Sequence, residues 1–174
     1  MYIIYIPIYV LRGILGAQQK MNKIAAIVND MGPSQKSFYM IKEFNKAAMS
    51  KDFSMSAFYN RPAIPITKPH FACSNISFLA GYDGAAIATD LIGADMLLKS
   101  HTAADKYLYI WDIEWLTNPV NFSVACDILL DDRLKLIARS DSHATVINNF
   151  CNKQLDGILD NWEINELISI VTPL

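Results

Sequence analysis

Charge is scarce in this chain of 174 residues: only 18% of them are Asp, Glu, Lys or Arg, against about a quarter in ordinary soluble domains. With 52% hydrophobic residues beside so few charges, a disordered or coiled-coil chain is excluded. The 15 basic and 17 acidic residues leave a formal net charge of −2, and no run of Lys or Arg occurs. A grip on nucleic acid through the phosphate backbone needs a basic stripe, and none is present. Cysteine is thin as well, with Cys73, Cys126 and Cys151 alone. An odd number in mostly apolar contexts argues against a disulfide framework and predicts reduced, buried thiols in a cytoplasmic protein. His70, His101 and His143 are widely scattered, and H-E-x-x-H does not occur. His70 and Cys73 form a lone H-x-x-C without a second pair, so no metal is expected. The dinucleotide fingerprint G-x-G-x-x-G, the P-loop G-x-x-x-x-G-K-[ST] and the nucleophile elbow G-x-S-x-G are all missing. There is no internal repeat and no low-complexity segment.

No apolar run reaches the roughly 20 residues that a transmembrane helix requires. The longest, MYIIYIPIYVL at residues 1–11, is interrupted by Pro7. A secretory signal would carry its basic residue before the apolar stretch, whereas Arg12 follows it. From Met21 the text reads MNKIAAIVND, in the manner of a natural start: a Met, two polar residues and a buried strand. Residues 1–20 are therefore read as an apolar extension outside the fold, with a short anchor or an extra edge strand as alternatives. Residues 21–174 are read as one domain, a length that buries a sizeable core unaided.

In that domain, apolar strand-like runs alternate with stretches of helical period. Residues 23–28 form a run that is apolar from Ile24 onward, as in a strand covered on both faces. Ser34 can cap a following helix whose apolar positions are Phe38, Ile41, Phe44 and Ala48. Alternation of Phe53, Met55, Ala57 and Tyr59 with Ser54 and Ser56 marks a second strand. Pro62, Pro65 and Pro69 make an irregular connection, and 71–79 contains a short third strand. Asp83-Gly84 opens a helix with Ile87, Leu91, Ala94 and Leu98 on one face. Further strands are expected at 106–111, 134–138 and 157–159, and helices at 122–130, 140–149 and 163–171. Such alternation predicts an α/β fold: a Rossmann-like, doubly wound, mainly parallel sheet with helices on both faces, in a single domain. Ligands of such sheets bind beyond the carboxyl ends of the strands, which singles out the loops 29–34, 81–84, 112–116 and 139–143.

Each loop has a chemical and a plain reading. Gly32, Ser34 and Gln35 lie at a helix start, where free backbone N–H groups favour an anion or a sugar hydroxyl; a turn with a Ser cap explains them equally. Asp112 and Glu114, two apart at a strand end, share one side if the strand continues. They then suit acid and base work or polyol binding. The flanking Trp111 and Trp115 suit stacking on a sugar, or else they are core indoles beside solvated acids. Ser140 and His143 join a hydroxyl and an imidazole directly after a strand, or simply start a helix. A phospho-receiver built on Asp30 and Asp112 needs a Lys where Arg139 stands and is set aside.

Together these segments resemble the N-terminal domain of a GT-B glycosyltransferase, of the retaining family that uses nucleotide sugars. The resemblance rests on the order of the first strand, the loop with Gly32 and Ser34, the amphipathic helix, the strand Tyr107-Leu108-Tyr109-Ile110-Trp111-Asp112 and the segment Ile137-Ala138-Arg139-Ser140. The style of Ala85-Ala86-Ile87-Ala88-Thr89-Asp90 and of Trp111-Asp112-Ile113-Glu114-Trp115 is also similar to glycosyltransferases of tailed bacteriophages. The resemblance implies Asp112 as an acid/base residue supported by Glu114. It implies Gly32, Ser34, Gln35, Asp83, Gly84, Ser140 and His143 as substrate contacts. It implies no cofactor, a nucleotide sugar as donor substrate and a carbohydrate or other hydroxyl acceptor. The family's donor site lies in a second domain, often with two glutamates eight positions apart. Glu43, Glu114, Glu163 and Glu166 include no such pair, and 174 residues leave no room for that domain. The chain is then expected to be the acceptor-side half, inactive alone and partnered by a donor-binding domain or subunit. The alternative is a non-enzymatic α/β interaction or ligand-binding module.

Overall fold

Strands β1 (Asn22–Val28), β2 (Phe53–Tyr59), β3 (Ala72–Asn75), β4 (Ala85–Ala88), β5 (Asp105–Ile110), β6 (Lys135–Ala138) and β7 (Gly157–Ile158) form one sheet in the order β3-β2-β1-β4-β5-β6-β7. Every adjacent pair is parallel. The computed structural model describes residues 22–50, 52–117 and 122–172; the extension expected at 1–20 lies outside them. Helices α1 (Gln35–Ala48), α2 (Leu91–Lys99), α3 (Glu114–Thr117), α4 (Phe122–Leu129), α5 (Asp141–Cys151) and α6 (Ile164–Val171) supply the cover. The expected doubly wound, Rossmann-like α/β fold in a single sheet is present.

Side-chain alternation along each strand feeds two separate cores. Ala25, Ile27, Ala86, Ala88, Leu108, Ile110, Leu136 and Ala138 pack on one face with Ala94 and Leu97 of α2, Leu129 of α4 and Ile147 of α5. Ile24, Ala26, Val28, Ile87, Tyr107, Tyr109 and Ile137 pack on the other with Met40, Ile41 and Phe44 of α1 and Leu167 of α6. Both faces are covered, so the central strands read as unbroken apolar text.

Three expectations need correction. No helix opens at Asp83-Gly84: Ala85–Ala88 is the central strand β4, and the helix begins at Leu91 after an Asp90 cap. Alanine favours helix intrinsically, but this segment pairs with β1 and β5, and Ala86, Ile87 and Ala88 have no exposed surface. Burial between two strands overrides the local preference. Phe38 is 39% exposed, because α1 turns Ser37, Met40, Ile41, Phe44 and Ala47 inward instead. The cysteines are free, but only Cys151 is buried; Cys126 is half-buried and Cys73 is exposed on the edge strand β3.

Side chains add to the backbone bonds that hold the two-residue strand β7 and the residue after it against the sheet. The Tyr109 hydroxyl donates to the Leu159 carbonyl at 2.7 Å, and the Tyr109 ring meets Trp162 edge-on with centroids 4.9 Å apart. Burial pushes the phenol far above its ordinary pKa. Tyr109→Phe keeps the ring and leaves the Leu159 carbonyl without that donor. This substitution is expected to lower the unfolding free energy by about 1–2 kcal/mol, read as a lower urea midpoint at unchanged slope.

Candidate functional site

The strand order reverses between β1 and β4, and the chain leaves these neighbours toward opposite faces, through α1 and α2. A crevice opens between such diverging connections at the carboxyl ends of the strands. Here it has a volume of about 380 Å³ and is lined by Asn29, Asp30, Ser34, Lys36, Ser37, Arg61, Asp90, Ile92 and Glu114.

The loop after β1 is built to hold a shape. Asp30 accepts from the Gly32 amide at 2.9 Å and from the Asn29 side-chain amide at 3.1 Å, an Asx-type turn. A Cβ on Gly32 would press on Asp30 and Ala63, so Gly32 serves the turn. The amide of Arg61 donates to the Asn29 carbonyl at 2.8 Å, which pins the β2–β3 connection to the same loop. Ser34 caps α1 by accepting from the Ser37 amide at 3.0 Å. Across the crevice, Asp90 caps α2 by accepting from the Gly93 amide at 2.7 Å.

Lys36 stands in the first turn of α1, where a cation opposes the helix dipole and where α1 carries no acid. What holds it there is the opposite wall: its ammonium donates to the Thr89 carbonyl at 3.3 Å, and it acts electrostatically on Glu114. Desolvation pushes the Glu114 carboxyl above its ordinary value; Lys36 opposes the shift, while Asp90 and Asp112 add to it. A carboxyl nearer neutrality is suited to proton transfer.

The structure brings only part of the expected site together. Ser34 and Glu114 line the crevice, and Asp112, Glu114 and His143 line an open depression beside it with Ile113 and Leu116. Gln35 is exposed at the start of α1 and does not line the crevice. Ser140 caps α5, its hydroxyl lying 3.0 Å from that of Ser142 and 3.4 Å from the His143 amide. Asp112 and Glu114 do not share a strand face, because β5 ends at Ile110 and Glu114 begins α3. Trp111 and Trp115 are 5% and 3% exposed, too buried to stack on a sugar; the Arg139 guanidinium sits 4.0 Å over the Trp111 ring. Asp83 and Gly84 lie before β4, at the opposite edge of the sheet. There Asp83 pairs with Lys23 at 2.6 Å, and a Cβ on Gly84 would collide with the Lys23 carbonyl. Lys36, Arg61 and Asp90 belong to the crevice without having been singled out; a Thr-Asp pair closing an apolar run, with the Asp three residues before an amide it can cap, is the readable signal for Asp90. Among the described residues no group of three His, Cys, Asp or Glu is placed to hold a metal, and no helix is long and apolar enough to cross a membrane.

The folded chain holds the Glu114 proton more tightly than the unfolded chain. Stability contributed at this position therefore falls as pH rises from the ordinary glutamate value of 4.5 through the raised one. Glu114→Gln is expected to flatten that part of the stability–pH curve. In carboxyl NMR titrations, Lys36→Met should raise the Glu114 pKa further. Asp90→Asn, which preserves the cap, should lower it. Comparison with protein-family models, curated proteins and solved structures finds no match to this chain.

Proposed function

We propose that the chain is the acceptor-side, Rossmann-like half of a nucleotide-sugar-dependent glycosyltransferase of the GT-B kind, and that its crevice receives a hydroxyl-bearing acceptor such as a carbohydrate. The observation that carries this reading is the composition of the crevice wall. Carboxylates of Asp30, Asp90 and Glu114 alternate with the cations Lys36 and Arg61, the amide of Asn29 and the hydroxyls of Ser34 and Ser37, with Ile92 as the apolar member. A phosphate would gain from two cations but face three carboxylates on the same wall. A hydroxyl both donates and accepts, so a neutral polyol can satisfy every one of these groups.

In this reading Glu114 is the proton acceptor for the attacking hydroxyl, poised by its raised pKa. Asp112, on the adjoining depression, supports it electrostatically. The crevice holds the acceptor in one orientation, which is where much of the rate advantage of group transfer arises. The donor nucleotide sugar is held by a separate donor-binding domain or subunit, and no cofactor takes part. The exposed free thiol of Cys73 fits a reducing compartment such as the cytoplasm.

Methyl glycosides and UDP-glucose, titrated separately into the labelled protein and followed by amide NMR, test the reading. Glycosides are expected to shift amides of residues 29–37 and 89–92, and Glu114→Gln to weaken them by about fivefold, the worth of one hydrogen bond. Shifts at these positions from UDP-glucose or inorganic phosphate but from no glycoside would overturn it. Glycoside binding without transfer, once a donor-binding partner is supplied, favours the non-enzymatic ligand-binding module.

A further inference from the structure

Beneath the crevice, at the carboxyl ends of β4 and β5, lies a second and much smaller chamber of about 10 Å³. It shares Asp90 and Glu114 with the crevice above. Leu91, Leu108 and Ile110 make its walls apolar, and Thr89 and Trp115 are polar residues lining it. These two are only 3% exposed each, and neither the Thr89 hydroxyl nor the Trp115 indole nitrogen has a hydrogen-bond partner among the described residues. Buried polar atoms without partners are rare enough that each calls for a cause. Both belong to residues that line this one chamber, which points to a common cause.

The chamber's size and chemistry limit what fills it. About 10 Å³ of free volume accommodates a single oxygen-sized group and excludes a phosphate or a sugar ring. The indole N–H only donates, so it needs an acceptor, which an ammonium lacks; the Thr89 hydroxyl donates or accepts. A carboxylate or other anion is repelled by Asp90, Glu114 and Asp112, which also line the chamber. A neutral hydroxyl-type oxygen satisfies both partners. We propose that Thr89 and Trp115 form a single-oxygen subsite, which holds a water in the free protein and the leading hydroxyl of the crevice ligand when that is bound. The second half of this statement rests on reading the crevice as a site for a hydroxyl-bearing ligand; the first half does not. With a ligand bound, the subsite seats one hydroxyl beside Glu114 and so selects acceptors with a hydroxyl free to enter.

Heteronuclear NMR of the full chain reads both halves. The indole signals of Trp111, Trp115 and Trp162 are assigned with single Trp→Phe variants. In the free protein the Trp115 indole N–H should show a direct cross-relaxation contact with a long-lived water, and methyl α-glucoside should abolish that contact and shift the signal. Thr89→Val should weaken methyl α-glucoside by about fivefold to tenfold, the range for one lost hydrogen bond, while Thr89→Ser restores binding. Absence of the water contact overturns the subsite whether or not glycosides bind. A glycoside that shifts the amides of 29–37 but binds Thr89→Val as tightly as wild type, with the Trp115 indole unmoved, overturns the ligand half and leaves the crevice reading standing. If no glycoside binds but the water contact is present, the crevice reading falls and the oxygen site stands.

Discussion

The close packing of β1 against β4 is the constraint from which the rest of the molecule follows. Ala25 and Ala26 of β1 and Ala86 and Ala88 of β4 have no exposed surface, and side chains this small let helices approach the sheet from both sides. On α2, a Cβ on Gly93 would stand 3.1 Å from an Ile27 methyl and 3.6 Å from Ala88, so the first turn of the helix sits directly on the two central strands. Larger residues here would lift α2 and move Asp90. With β1 leading to α1 on one face and β4 to α2 on the other, divergence at the carboxyl edge is unavoidable, and so is a crevice.

Charge at that crevice is arranged in opposition rather than in one sign. Lys36 sits at the end of α1 that disfavours a cation and is held by the Thr89 carbonyl and the field of Glu114 across the gap. Asp90 sits at the end of α2 that favours an anion, its carboxylate committed to the Gly93 amide. The two helices thus present unlike charges toward one space. Such a wall is poor at concentrating ions and good at orienting a dipolar ligand with several hydroxyls.

Much of the fold was readable because both faces of the sheet are covered. Apolar runs such as Ile24 to Val28 behind Lys23, breaks at 29–34 and 131–132, and cap residues Ser34 and Ser140 locate β1, α1, β6 and α5 with boundaries that differ by a residue or two. The failure at Ala85–Ala88 has a physical cause: alanines carry no β signal of their own, and only pairing with β1 and β5 makes them a strand. Missing that strand moved Asp83 and Gly84 to the wrong edge of the sheet and hid Asp90. The site was legible as loops, not as contacts. Ser34 and Glu114 meet only because the order reverses between β1 and β4, a long-range fact that no local pattern encodes. The Trp111 and Trp115 pair shows the same limit, since an indole beside an acid reads alike whether it faces a ligand or a core.

The caps carry the last step. Helices α1, α2 and α5 all begin at the carboxyl edge, and a helix start ordinarily attracts anions through unpaired amides and its dipole. One amide of each start is taken by a cap: Ser37 donates to Ser34, Gly93 to Asp90 and His143 to Ser140. At α2 the capping group is itself an anion, which cancels the dipole and repels a second negative charge. A doubly wound sheet that binds phosphate leaves such amides open, commonly with glycines that admit the ligand to the backbone. Here the loop glycine, Gly32, donates inward to Asp30 instead. At each of these helix starts one backbone amide is thus turned to a side chain of the protein itself. This lends support to the proposal that the crevice takes a neutral, hydroxyl-bearing ligand.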